Sequence, residues 1–252
     1  MACSDNGEEG ERVAAALAAV KNRIEVVCQE RVSQSMPMRR PTLVAVSKFK
    51  SPQLIQACYE QGQRVFGENY VQELVEKAKE LPEDIEWRFI GGLQSNKCKR
   101  VLRDVPNLHT VESVGSQKLA RELEKATVLA RSEGIRSTPL RIFVQVNTSG
   151  EESKSGIQPK DCTSVVRFVL NECPNLFFVG LMTIGRPNPE QGQPDFDCLL
   201  ECRRQVVKDL ALEEQSVELS MGMSADFEDA IRYGSTNVRI GSTIFGARPP
   251  KR

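Results

Sequence analysis

Asn237-Val238-Arg239-Ile240-Gly241-Ser242-Thr243-Ile244-Phe245-Gly246 is a short β-branched run that breaks at a glycine followed by two hydroxyl residues. Val238 and Ile240 alternate with Asn237 and Arg239, the period-two pattern of a strand. The glycine cluster follows the last strand of the chain. A doubly wound nucleotide-binding sheet places its glycine-rich turn after an early strand. A closed parallel barrel binds phosphate after strands seven and eight. The position of this stretch therefore favours the barrel.

Upstream, strand and helix patterns alternate. Strands are expected over 42–47, 64–66, 86–90, 108–111, 140–146, 176–182, 217–219 and 237–240. Helices are expected over 52–61, 71–80, 96–103, 116–132, 159–171, 196–210 and 226–233. A leading helix over 8–34 carries Val13, Leu17, Val20, Ile24 and Val27 at three- and four-residue steps. Strict alternation forces parallel pairing with the helices outside. Eight strands in 252 residues suit a single α/β domain, a (β/α)8 TIM barrel over 42–246 with an extra N-terminal helix and a tail over 247–252. The stretch Arg186–Pro194 is rich in proline and polar residues and is expected to be an exposed loop; the tail from Arg248 is expected to be loose.

Composition narrows the ligand. Lys plus Arg and Asp plus Glu are both 34, so no net field steers the chain onto nucleic acid or an anionic membrane. No apolar run approaches the length of a bilayer span. Asp5, Glu8, Glu9 and Glu11 argue against a secretory or mitochondrial presequence, so the expected compartment is the cytoplasm. Eight scattered cysteines without a C-x-x-C pair read as reduced thiols. The single histidine, His109, excludes two-histidine metal sites, and no metal is expected. Chemistry must come from elsewhere.

Leu43-Val44-Ala45-Val46-Ser47-Lys48 puts a lysine at the end of an apolar strand. Partial desolvation there lowers an ammonium's pKa and frees an amine able to form a Schiff base. The plain alternative is a strand-end lysine that marks the exit to solvent. Barrel closure sets the last strand beside the first, so Lys48 neighbours Gly241, Ser242 and Thr243, whose amides and hydroxyls suit a phosphate. Ser224 in Ser220-Met221-Gly222-Met223-Ser224-Ala225-Asp226 is placed to cap the next helix while facing the same anion. A tight turn is the bland reading of that glycine cluster. Arg239 should point into the barrel mouth, or else pair with a barrel carboxylate. Gly67-Glu68-Asn69-Tyr70 and Ile90-Gly91-Gly92-Leu93-Gln94 offer polar groups and small residues at the same face.

Several runs occur together and in order: Val44–Lys48, Phe66–Glu73, Phe89–Lys97, Val146–Gly156, Gly180–Ile184, Ser220–Phe227 and Val238–Gly246. As a set they resemble the pyridoxal phosphate homeostasis protein family, in a eukaryotic form. One departure is Arg88, where the family usually has a histidine, and it should alter a contact near the third loop. The resemblance implies the barrel of alanine racemase without its second β-domain, with pyridoxal 5'-phosphate (PLP) held on Lys48 as a Schiff base. It further implies that Ser224, Gly241, Ser242 and Thr243 receive the phosphate and that Arg239 faces the pyridine nitrogen. Asn69 and Met221 match positions lining the pocket. The implied role is a carrier or regulator in cofactor balance, a monomer with PLP-dependent apo-enzymes as partners and no established turnover. Two rivals share the barrel. An amino-acid racemase or decarboxylase needs a second acid–base group, for which Tyr70 is a candidate. A barrel for another phosphate compound would use Lys48 as a plain cation or general base.

Overall fold

The structure is a computed structural model, and it describes residues 3–33, 39–151, 154–186 and 192–247. Eight parallel strands close into a barrel in chain order: β1 Thr42–Val46, β2 Val65–Glu68, β3 Glu86–Phe89, β4 Leu108–Val114, β5 Leu140–Gln145, β6 Leu176–Met182, β7 Glu218–Ser220 and β8 Asn237–Ile240. Closure is made by β1 against β8, with Thr42 opposite Asn237 and Ala45 opposite Ile240. Helix α1 spans Cys3–Ser33 and precedes the barrel. The helices between strands are α2 Pro52–Glu60, α3 Val71–Glu80, α4 Cys98–Asp104, α5 Gln117–Ser132, α6 Cys162–Glu172, α7 Pro194–Leu210 and α8 Phe227–Arg232. After β8 the chain makes only the four-residue α9, Ser242–Phe245.

That short last helix explains α1. A full barrel needs a helix over every strand pair, and α9 is one turn long. Helix α1 packs against α2, α8 and α9 and covers the seam between β8 and β1. The five apolar residues of its stripe, Val13 through Val27, are all at most 3% exposed. They join the main core, which lies between the strands and the helices.

The differences from the sequence reading have local causes. Strand β2 runs through Gly67 to Glu68, two residues beyond the expected end. Glycine sits mid-strand because a Cβ there would meet Val44 Cγ1 at 3.0 Å and Ile90 Cδ1 at 3.3 Å. Strand β4 continues past Val111 through the polar Glu112 and Ser113, both buried. The helices expected from Asn96 and Pro159 each begin with a turn of 3₁₀ helix, Ser95–Lys97 and Pro159–Asp161. Helix α1 begins at Cys3 rather than at residue 8. Residues 187–191 of the proline-rich loop and the tail from Arg248 lie outside the described residues.

The lumen is not an apolar plug. Phe143, Val179 and Met182 form a small cluster of their own. Around it stand the buried polar side chains of Arg88, Glu112, Ser220, Asn237 and Arg239. Among the described residues, no helix is long and apolar enough to cross a membrane, and no cluster of acidic, histidine and cysteine side chains could hold a metal ion.

Candidate cofactor site

Strand alternation aims Lys48. Leu43 and Ala45 pack into the outer core, while Val44 and Val46 converge on the lumen opposite Gly67. Lys48 shares the face of Val44 and Val46 and is half-buried just past the end of β1. Directly behind it, facing α3, Ser47 Oγ donates to Glu68 Oε1 at 2.6 Å. Lys77 Nζ donates to the same Glu68 oxygen at 2.7 Å. Burial pushes the Glu68 carboxyl above the usual range, while Lys77 and Ser47 oppose that shift. The sequence reading gave Lys77 and Glu73 no role. They were findable, since both sit in α3 at the four-residue step that places a carboxylate and an ammonium on one face.

The loops after β7 and β8 meet at one oxygen. Ser224 Oγ accepts from the backbone amides of Gly241 at 3.2 Å and Thr243 at 3.4 Å. The expectation that Ser224 caps the following helix is corrected. Asp226 holds the cap position of α8, and its Oδ1 accepts from the Met223 amide at 2.6 Å. A Cβ at Gly241 would lie 3.1 Å from Val46 O, so the β8–β1 seam admits only glycine without displacement. Thr243 is half-buried and Ser242 is exposed beside it. Met221 departs from the expected pocket position. It alternates with the lumen-facing Ser220, so its side chain is fully buried in the outer core and only its backbone lies near the loop.

Arg239 faces the lumen as alternation requires, 4% exposed. Its Nη1 donates to Ser220 Oγ at 2.7 Å and its Nη2 to Thr183 O at 2.6 Å. Ser220 Oγ in turn donates to Glu112 Oε2 at 2.6 Å. Arg239 thus looks inward, and it meets Glu112 only through the Ser220 hydroxyl rather than in a direct ion pair. Burial pulls its pKa below the usual arginine value, and the Glu112 charge offsets this only in part. Arg88 lies in β3, just ahead of the third loop. It is a lumen residue whose Nη1 donates to Glu112 Oε1 at 3.0 Å and to Asn237 Oδ1 at 2.8 Å.

A cavity of about 260 Å³ opens at the same end of the barrel, between Asn69 and Gly91 on one side and Asn147, Thr148 and Thr183 on the other. Asn69 Oδ1 is buried there without a hydrogen-bond partner. A Cβ at Gly91 would lie 2.1 Å from Asn69 O, so the third loop needs glycine to pass. The far wall was missed by sequence. It is the loop after β5, where Lys154 Nζ donates to Gly185 O at 2.9 Å and pairs with Glu151. Tyr70 stands on the rim, 48% exposed, with its ring 5.1 Å from that of Phe49.

Residues 16–249 match the family described as alanine racemase, N-terminal domain. The pyridoxal phosphate homeostasis protein of Homo sapiens is 46% identical over 244 residues, 94% of this chain and 86% of that one. The chain belongs to the pyridoxal phosphate homeostasis protein family. Among solved structures, PipY of Synechococcus elongatus with PLP bound superposes with a TM-score of 0.72 at 27% identity, covering 93% of this chain and 100% of that one. Alanine racemase of Corynebacterium glutamicum gives a TM-score of 0.67 at 14% identity over 95% of this chain and 62% of that one, a likeness of fold alone. The homeostasis-protein family thus shares the racemase barrel, and the barrel expected from this sequence is the one observed.

Proposed function

We propose that the protein binds pyridoxal 5'-phosphate at the barrel mouth and works as a carrier or regulator of the free cofactor. The observation that carries this reading is the convergence of the Gly241 and Thr243 amides on Ser224 Oγ, at the seam beside β1. Amides aimed at one oxygen are the donor set a phosphate takes. The residues fit the cofactor's other parts as well. Lys48 offers an amine, Arg239 a buried donor, and Asn69 an acceptor without a partner. The PLP held by PipY supports the same assignment.

In this reading Lys48 would hold the cofactor through its amine, while Ser224, Gly241, Ser242 and Thr243 would bind the phosphate. Asn69 lines the ring side, and Met221 contributes through its backbone. When bound, the cofactor supplies an electrophilic carbon and a ring that can accept electrons. Arg239 limits that ring. A guanidinium stays protonated and can only donate, so it favours a neutral pyridine nitrogen and weakens the electron sink. The protein then loads and releases cofactor more readily than it turns over amino acids. It would act as a monomer in the cytosol and hand PLP to apo-enzymes that depend on it. The seven cysteines from Cys28 to Cys202 are free thiols, which accords with a reducing compartment.

Borohydride reduction of the PLP-treated protein, followed by peptide mass mapping, tests the reading. The expected result is a pyridoxyl group on Lys48. A label on another lysine, with Lys48→Ala still yellow, overturns it.

A further inference from the structure

Behind the end of β1, next to Lys48, lies an ion cluster that cofactor binding does not itself call for. Lys77 Nζ donates to Ser47 O at 2.9 Å as well as to Glu68 and Glu73. Glu73 Oε2 also accepts from the Phe49 amide at 2.8 Å. Ser47 O and Phe49 N belong to the two peptides that flank Lys48. Helix α3 therefore grips the lysine's backbone on both sides.

The backbone between those grips is strained. Lys50 N donates to Ser47 O at 3.0 Å, which closes a turn with Lys48 and Phe49 at its centre. Phe49 has a φ of 62°, the sign required at the third position of a type II turn. Glycine or asparagine normally stands there, because a Cβ clashes in that region. A phenylalanine prefers the alternative turn, in which the central peptide is flipped and its N–H points away. The bond from the Phe49 amide to Glu73 is available only in the observed orientation.

We propose that Glu73, held in place by Lys77, is a positioning residue that locks the Lys48–Phe49 peptide and so aims the Lys48 side chain into the barrel mouth. The proposal rests on the reading of Lys48 as the cofactor lysine. Glu73 opposes a preference built into the sequence, so its effect must depend on what occupies position 49. Glycine takes a positive φ without penalty and should make Glu73 dispensable.

The full-length protein and its variants are titrated with PLP, reduced with borohydride and mapped by peptide mass. Exchange of the Phe49 amide is followed by NMR in the cofactor-free protein. Glu73→Ala should need about five- to thirty-fold more PLP for half-labelling of Lys48, and its Phe49 amide should exchange faster. Glu73→Gln keeps an acceptor oxygen and should load like the wild type. Adding Phe49→Gly to Glu73→Ala should restore most of the loading. Phe49 is exposed, so a series at that position tests the turn without threatening the fold. With Glu73 intact, Phe49→Val should load more weakly and Phe49→Gly normally. Unchanged loading in Glu73→Ala, no rescue by glycine, or equal loading by the valine and glycine variants overturns the proposal. A label that persists in Lys48→Ala overturns the cofactor reading itself, whatever Glu73 does.

Discussion

Ser224 illustrates how much one hydroxyl can report. Its oxygen lies where two backbone amides from another loop converge, and it caps no helix of its own. Replacing it with alanine removes the oxygen that aligns the two amides and, in the proposed reading, a hydroxyl that binds the phosphate. PLP retention should fall by about 0.5–3 kcal/mol, read as a change in dissociation constant by absorbance titration. Gly241→Val should weaken retention further, because its Cβ would press on Val46 O. Glu68 gives a pH signature at the same scale. Its folded pKa is raised, so between the ordinary carboxylate value and that raised value the folded state binds more protons than the unfolded state. Its contribution to stability is complete at low pH and is lost as pH climbs through that window. Urea midpoints taken from mildly acid to neutral pH should show this decline in the wild type relative to Glu68→Gln. Parallel curves would assign the decline to other groups.

At the scale of elements, α1 is the piece on which barrel closure depends. Leu17 is fully buried beneath it, and Leu17→Ala should cost about 2–5 kcal/mol, measured by chemical unfolding. The loss should be felt at the β8–β1 seam, so amide exchange in β8 should quicken more than in β4. Helices were legible because their apolar stripes follow the physics of burial: the expected span of α3 matches, and that of α5 differs by one residue. Strands were legible too, as β6 with two apolar faces and β8 with one apolar face show. Where reading failed, the lumen was responsible. Gly67 in β2 and Glu112 in β4 look like strand ends until one knows that the interior holds charges and needs small residues to fit them. The candidate site residues divide in the same way. Lys48 and Gly241 are visible as strand ends, whereas Ser224's partners lie in the neighbouring loop, 17 and 19 residues further on. The inward or outward sense of Met221 depends on where β7 ends. The α3 clamp on Lys48 joins residues some thirty positions apart and leaves no local mark.

Across the whole molecule, hydrogen bonds run down the barrel axis from Arg239 through Ser220 to Glu112, and from Arg88 through Asn237 to Glu218, which pairs with Arg39 near the base. The Arg88–Glu112 pair is buried, and breaking it from one side should cost about 3–5 kcal/mol, since an uncompensated charge remains. Replacing both residues with methionine should cost less than the sum of the two single losses, though Arg239 then also loses its Glu112 partner. Urea unfolding of the two single variants and the double variant reads that coupling directly, and additive losses would show the pair to be independent. This axis also bears on how the lineage can vary. Hydrocarbon side chains can be traded one at a time, since a neighbour shifts to fill the gap. A partnered charge leaves no such intermediate step. Any exchange at position 88 also disturbs Glu112 and Asn237, the two residues that its Nη1 bonds. The three positions then form a single heritable unit, and a graft of this lumen into a relative should succeed only when all three are moved together.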